Sequence, residues 1–285
     1  MLTALGHYVF LQNAVAVLVL GSVVCGVVGT LVVVNRLSTL AGGVAHACFG
    51  GVGLSYLLGA PPAAGALAFG LASALGIGAV SARWRDASDA AIAAIWAGGM
   101  ALGLIFIQLA PGYAPDLMSY LFGSVLAVPR ADLALFVAVD AIVLAFVVIL
   151  YRSLVAASFD PEFGRTRGMK SDAIFLAFLC LVGVSVVLLM RAVGLLLVIA
   201  LLAIPPSTVR IFVHRLPALM AVSCLLTALE GIAGLVLAWE LDIPAGASII
   251  LVAGVVYVAA AGLGRRGRRS RPSDGDGART ASVPA

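Results

Sequence analysis

The sequence predicts an all-α, polytopic integral membrane bundle of eight or nine transmembrane segments. Three observations predict it. Hydrophobic residues make up 63% of the 285 positions and charged residues only 11%, whereas a soluble domain is about a quarter charged. The mean hydropathy is +1.17. The apolar residues gather into nine runs, most of them near the roughly 20 residues that carry a helix across a bilayer.

The first run covers residues 10–34, and the first 34 residues hold no lysine or arginine. A secretory leader needs a basic n-region, so this run is expected to be a retained span. Residues 44–58 are short for a span and dense in glycine. Residues 61–82, 90–110, 132–151 and 172–190 follow as fuller spans. Residues 192–209 are a weaker candidate, because Pro205-Pro206 interrupts them. Residues 217–239 and 246–263 complete the set. Between spans, residues 113–128 are too apolar for a solvated loop and too short to cross comfortably. They are expected to form an interfacial or re-entrant piece, with Tyr113, Tyr120 and Phe122 at headgroup level.

Charge sets the orientation. Arginine and the one lysine, Lys170, concentrate at 36, 83–85, 152–170, 210–215 and beyond 264. The alternate connections carry only Arg130 and Arg191 against Asp116, Glu240 and Asp242. Positive charge marks cytoplasmic loops, so nine segments with an outside N-terminus and a cytoplasmic C-terminal tail are expected. Residues 1–264 read as one transmembrane domain, with no internal repeat. Residues 265–285 are basic, aperiodic and rich in Gly, Ser and Pro, and are expected to be a disordered tail. Such a tail sets topology or lies against anionic lipid headgroups. Much of the formal charge of +4 sits there, so it is no nucleic-acid signature.

Several chemistries are excluded. No GxxxxGK[ST] occurs, so this chain cannot cradle a nucleotide phosphate in a P-loop. No HExxH, GxSxG or paired-carboxylate pattern supports an enzyme. Cys25, Cys48, Cys180 and Cys224 lie in apolar runs without CxxC spacing. They read as buried thiols rather than a zinc or disulfide framework, with Cys48 the one ligand candidate.

The informative group is His46, set among Gly42, Gly43, Gly50, Gly51 and Gly53. An ionisable side chain inside a span is costly and marks a functional site by default. Glycines let neighbouring helix backbones close around it. The structural alternative is a packing histidine that donates to a carbonyl. Asp140 and Glu230 are the intramembrane carboxylates, and Arg191 stands at an outer end. Each carboxylate serves either a cation path or a cap or pair within the bundle. Imidazole suits zinc, iron or nickel, and carboxylate suits manganese or magnesium.

Two further segments face the cytoplasm. In residues 158–168, Asp160-Pro161-Glu162 reads as a helix start. In residues 204–216, the prolines end an apolar run and Ser207-Thr208 can cap a short helix bearing Arg210, His214 and Arg215. The first is a docking element or a solvated loop, and the second a docking element or a topology-setting basic turn.

Five stretches together resemble the permease subunits of ABC importers for zinc, manganese and iron. They are residues 36–59, RLSTLAGGVAHACFGGVGLSYLLG; 88–133, with DLMSYLFG at Asp116 to Gly123; SFDPEFGRTRG at 158–168; VGLLLVIALLAIPPSTVR at 193–210; and LDIPAGASII at 241–250. The resemblance covers nearly the whole chain to about Gly264. It implies a non-catalytic permease that works as a homodimer in a bacterial or archaeal cell membrane. ATP is then hydrolysed by a separate cytoplasmic ABC ATPase dimer, and an extracytoplasmic metal-binding protein delivers the ion. No resident cofactor is implied, only a transported divalent Zn, Mn or Fe. By similarity the segment after Pro205-Pro206, with Ser207, Thr208 and Arg210, couples to the ATPase, and Asp160 and Glu162 lie in a second contact. Many members carry an aspartate four residues before the motif histidine, where this chain has Gly42. His46 would then need co-ligands from Asp116, Asp140 or Glu230. Two rival readings are a permease for chelates such as siderophores or cobalamin, and a secondary metal transporter without ATP. The latter would show two related halves with acidic ligands on broken spans.

Overall fold

The computed structural model describes residues 7–83, 88–111, 123, 125–159 and 171–269, and the helices they form are the expected bundle. In chain order these are α1 (Val9–Val34), α2 (Ser38–Leu58), α3 (Pro62–Arg83), α4 (Ser88–Leu109), α5 (Arg130–Phe159), α6 (Ser171–Val193), α7 (Leu195–Arg210), α8 (Leu216–Leu241) and α9 (Ala245–Arg269). A 3-10 turn, Val125–Ala127, precedes α5. Among the described residues there is no strand. All helices but α7 are long and apolar enough to cross a membrane.

Three elements differ from the sequence expectation. The short second run is a full helix of 21 residues, because it begins at Ser38 rather than residue 44. Glycine is a poor helix former, but here tertiary contact decides: Gly42 lies against Ile199, and Gly43 against Ile92. The weak seventh run is a 16-residue helix, about 24 Å at 1.5 Å per residue. It is separated from α6 at Gly194, whose φ of 83° and ψ of 164° favour glycine, and not at Arg191.

The third difference is a correction. Pro205 and Pro206 do not end the helix; both lie inside α7, which runs on to Arg210. Ser207 and Thr208 therefore cap no separate short helix. The carbonyl of Leu202, which Pro206 cannot hydrogen-bond, rests against Gly29 of α1, where a Cβ would come within 2.5 Å. Thr208 Oγ1 donates instead to the Ile204 carbonyl at 2.9 Å. Arg210 Nη1 donates to the Val33 carbonyl at 2.9 Å, tying the ends of α7 and α1 together.

Packing puts α1 and α2 at the centre, buried along most of their length, while α4 and α5 present apolar faces outward. Helix α1 packs on α5, α7 and α8, and α2 packs on α3, α4, α6 and α7. The α2 interfaces are made by small residues. Gly51 sits on the Gly65 backbone of α3, Gly50 and Ala47 on Gly99 of α4, and Gly53 on Gly103 of α4. Larger side chains there would hold the backbones apart. α9 runs to Arg269.

Candidate functional site

His46 lies near the middle of α2 and is only 6% exposed. Its Nδ1 is buried without a hydrogen-bond partner among the described residues. The ring is held by stacking: the indole of Trp96, on α4, lies parallel to it at 4.4 Å between centroids and 9° between planes. The register follows from the small residues on either side. Ile92 meets Gly43 and Gly99 meets Ala47, so the two helices run parallel and bring residue 96 opposite residue 46. For the packing alternative, a histidine donating to a carbonyl, Nδ1 has no such acceptor among the described residues.

At the end of the bundle where α2 turns into α3 lies a cavity of about 420 Å3. Val52, Pro62, Val128, Val187 and the pair Asp132 and Arg191 are among its walls. Arg191 Nη2 meets Asp132 Oδ1 at 3.0 Å; the carboxylate is largely enclosed and the guanidinium half exposed. Val52 is on the same helix as His46, so the cavity opens toward that residue's helix from one end of the bundle. Asp132 was not singled out in the sequence because it begins a span like any interfacial acid.

The other intramembrane acids stand elsewhere. Asp140 on α5 and Glu230 on α8 are buried, and neither carboxyl has a hydrogen-bond partner among the described residues. Both helices flank α1, not α2. Glu230 adjoins Gly231, which packs on Leu18 of α1. His46, Asp140 and Glu230 are therefore not brought together within one chain. Among the described residues no group of three or more His, Cys, Asp or Glu is placed to hold a metal. Asp116, Asp160 and Glu162 lie outside the described residues. Of the expected coupling residues, Pro205, Pro206 and Thr208 are buried, Ser207 is half-buried and Arg210 is exposed. The surface at that end is formed by the turn after α7, with Phe212, His214 and Arg215 exposed.

The sequence profile of the ABC 3 transport family matches residues 7–263. The chain belongs to that family. Among ABC 3 relatives, an uncharacterized membrane protein of Synechocystis sp. is 40% identical over 252 residues, 88% of this chain and 90% of its own length. The manganese transport system membrane protein MntC of Halalkalibacterium halodurans is 32% identical over 253 residues, 89% of this chain and 87% of its own. A solved structure, PsaBC from Streptococcus pneumoniae in complex with a Fab, superposes with a TM-score of 0.82 at 29% identity, covering 91% of this ABC 3 chain and 93% of that one.

Proposed function

We propose that this chain is the membrane-spanning permease of an ATP-driven importer that moves a divalent transition-metal ion, Mn, Fe or Zn, by alternating access. The observation that carries the reading is His46: a buried imidazole with an unpartnered ring nitrogen at mid-helix, in a chain similar along most of its length to a manganese transport membrane protein. A transported ion needs few protein ligands, so that it can leave. One imidazole from each of two copies, completed by water, meets that need. The relatives' names favour manganese, while an imidazole donor set favours zinc or iron.

In this reading the Arg36 end is cytoplasmic, as the positive-inside rule requires, and the Asp132–Arg191 cavity faces the delivering protein. A second copy of the chain completes the pathway. The exposed turn after Arg210 meets the cytoplasmic ATPase dimer, and the segment holding Asp160 and Glu162 is its second contact. Asp116 is a candidate for receiving the ion from the delivering protein, and Asp140 and Glu230 act apart from His46, as acids beside α1.

The test is uptake of radiolabelled Mn2+ by the reconstituted complex, with Zn2+ and Fe2+ as competitors. His46→Ala is expected to abolish uptake while the complex still assembles; wild-type uptake in that variant overturns the assignment. The strongest competitor identifies the cargo.

A further inference from the structure

Histidines that bind metal ordinarily have the second ring nitrogen held by a carboxylate, a carbonyl or water, which fixes the ring's orientation. At His46 no such partner is present for Nδ1 among the described residues. The residue one turn earlier on the same face is Gly42, which offers no side chain to supply one. The ring is nevertheless fixed, by its face. Trp96 lies flat against it at 4.4 Å, and the contacts of Gly43 with Ile92 and of Ala47 with Gly99 fix the two helices on either side of the stack.

Stacking and metal ligation use different parts of an imidazole. The indole covers the π-face, whereas a metal approaches a ring nitrogen in the ring plane along its lone pair. The two do not compete, so a stacked histidine can be oriented and still available. Trp96 is itself 41% exposed, beside exposed Leu102, Leu104 and Ile105 on the same helix. A tryptophan serving only to fill the protomer's interior would be more enclosed.

We propose that Trp96 is the positioning residue of the His46 site: its indole sets the plane of the imidazole by stacking, in the role a hydrogen-bonded acceptor usually plays, and leaves the ring nitrogens directed at the passing cation. This rests on the metal-permease reading and names a part of the same site. It makes a statement about shape: an aromatic ring is required at 96, and its polar N–H is not.

The decisive experiment uses the full chain in its assembled transporter, with Trp84→Phe and Trp239→Phe so that Trp96 is this chain's sole tryptophan, and a Trp96→Phe complex supplies the background emission of the partner subunits. Mn2+ and, as a diamagnetic probe, Zn2+ are titrated while Trp96 emission is followed, with and without His46→Gln. Metal-dependent change in the emission that disappears with His46→Gln is the expected result. The same change with and without His46, or no change in a protein that transports, overturns the proposal. Uptake supplies the second arm. Trp96→Ala should raise KM for Mn2+ about two- to tenfold, the worth of one aromatic stack, with maximal rate and assembly little changed. Trp96→Phe should restore wild-type KM. Wild-type KM in assembled Trp96→Ala overturns the proposal and leaves the permease reading standing. Normal uptake by His46→Ala overturns the His46 site itself.

Discussion

Single residues at the ends of helices show where this chain departs from its own best local chemistry. Helix α2 ends on Gly59 in the left-handed conformation, with Ala60 N–H donating back to the Ser55 carbonyl at 2.8 Å. That is the glycine-terminated helix end expected of a C-cap. Helix α8 ends the same way, with Ile243 N–H bonded to the Ala238 carbonyl at 3.2 Å, but the left-handed residue is Asp242, φ 54°. Its Cβ is strained there, and its charge sits at the negative end of a helix dipole. Asp242→Gly should stabilise the protein by about 1 kcal/mol, read as a higher melting temperature in lipid nanodiscs. At the other interfacial pair the sign is opposite. Arg191→Gln strips the enclosed Asp132 of its ion partner and should cost about 1–3 kcal/mol. Adding Asp132→Asn should recover most of that loss, because the isolated charge is gone. A double-mutant cycle by thermal unfolding measures both.

At the scale of elements, most of the fold was legible, and the exceptions have physical causes. Apolar runs located every span, because hydropathy is what a bilayer selects. The start of α2 was not legible, since Gly42 and Gly43 lower helix propensity and only contacts with Ile199, Ile92 and Ile77 reveal why they are helical. The path of α7 through Pro205-Pro206 was hidden likewise, because the glycine that receives the freed carbonyl, Gly29, is far away in sequence. His46 could be found as an ionisable residue in an apolar run. Trp96 could not, because an aromatic residue in a span is ordinary until its partner is known. The same logic separates two glycines that look alike in sequence. A Cβ on Gly51 would strike the Gly65 backbone, while one on Gly98 meets nothing within 4 Å. Gly51→Ala should therefore destabilise by about 1–3 kcal/mol through forced separation of α2 and α3. Gly98→Ala should be neutral or stabilising by up to about 1 kcal/mol through helix propensity. Thermal unfolding of the two variants side by side checks the contrast, and equal effects would remove the packing argument.

At the scale of the whole molecule, the bundle has two chemically distinct ends. One gathers Arg36, Arg210, His214 and Arg215 around the α1–α7 tie, and the other holds the cavity with its single Asp132–Arg191 pair. Helix α8 joins them: its 26 residues extend about 39 Å at 1.5 Å per residue, more than the roughly 30 Å hydrocarbon core. It is long and apolar enough to set its two flanks, His214 before it and Ile243 after it, on opposite sides of the membrane. The basic end faces the cytoplasm if the positive-inside rule governs this chain. The four native cysteines all lie within helices, two buried and two half-buried, and can be replaced before a single reporter is introduced. His214→Cys should then react with a membrane-impermeant maleimide only in inverted vesicles, and Ile243→Cys only in intact cells. Labelling of both from the same side would mean that α8 does not cross, and the reverse pattern would turn the bundle over. The Asp132–Arg191 cavity would then open to the cytoplasm, and a delivering protein outside the cell would have no such cavity to meet.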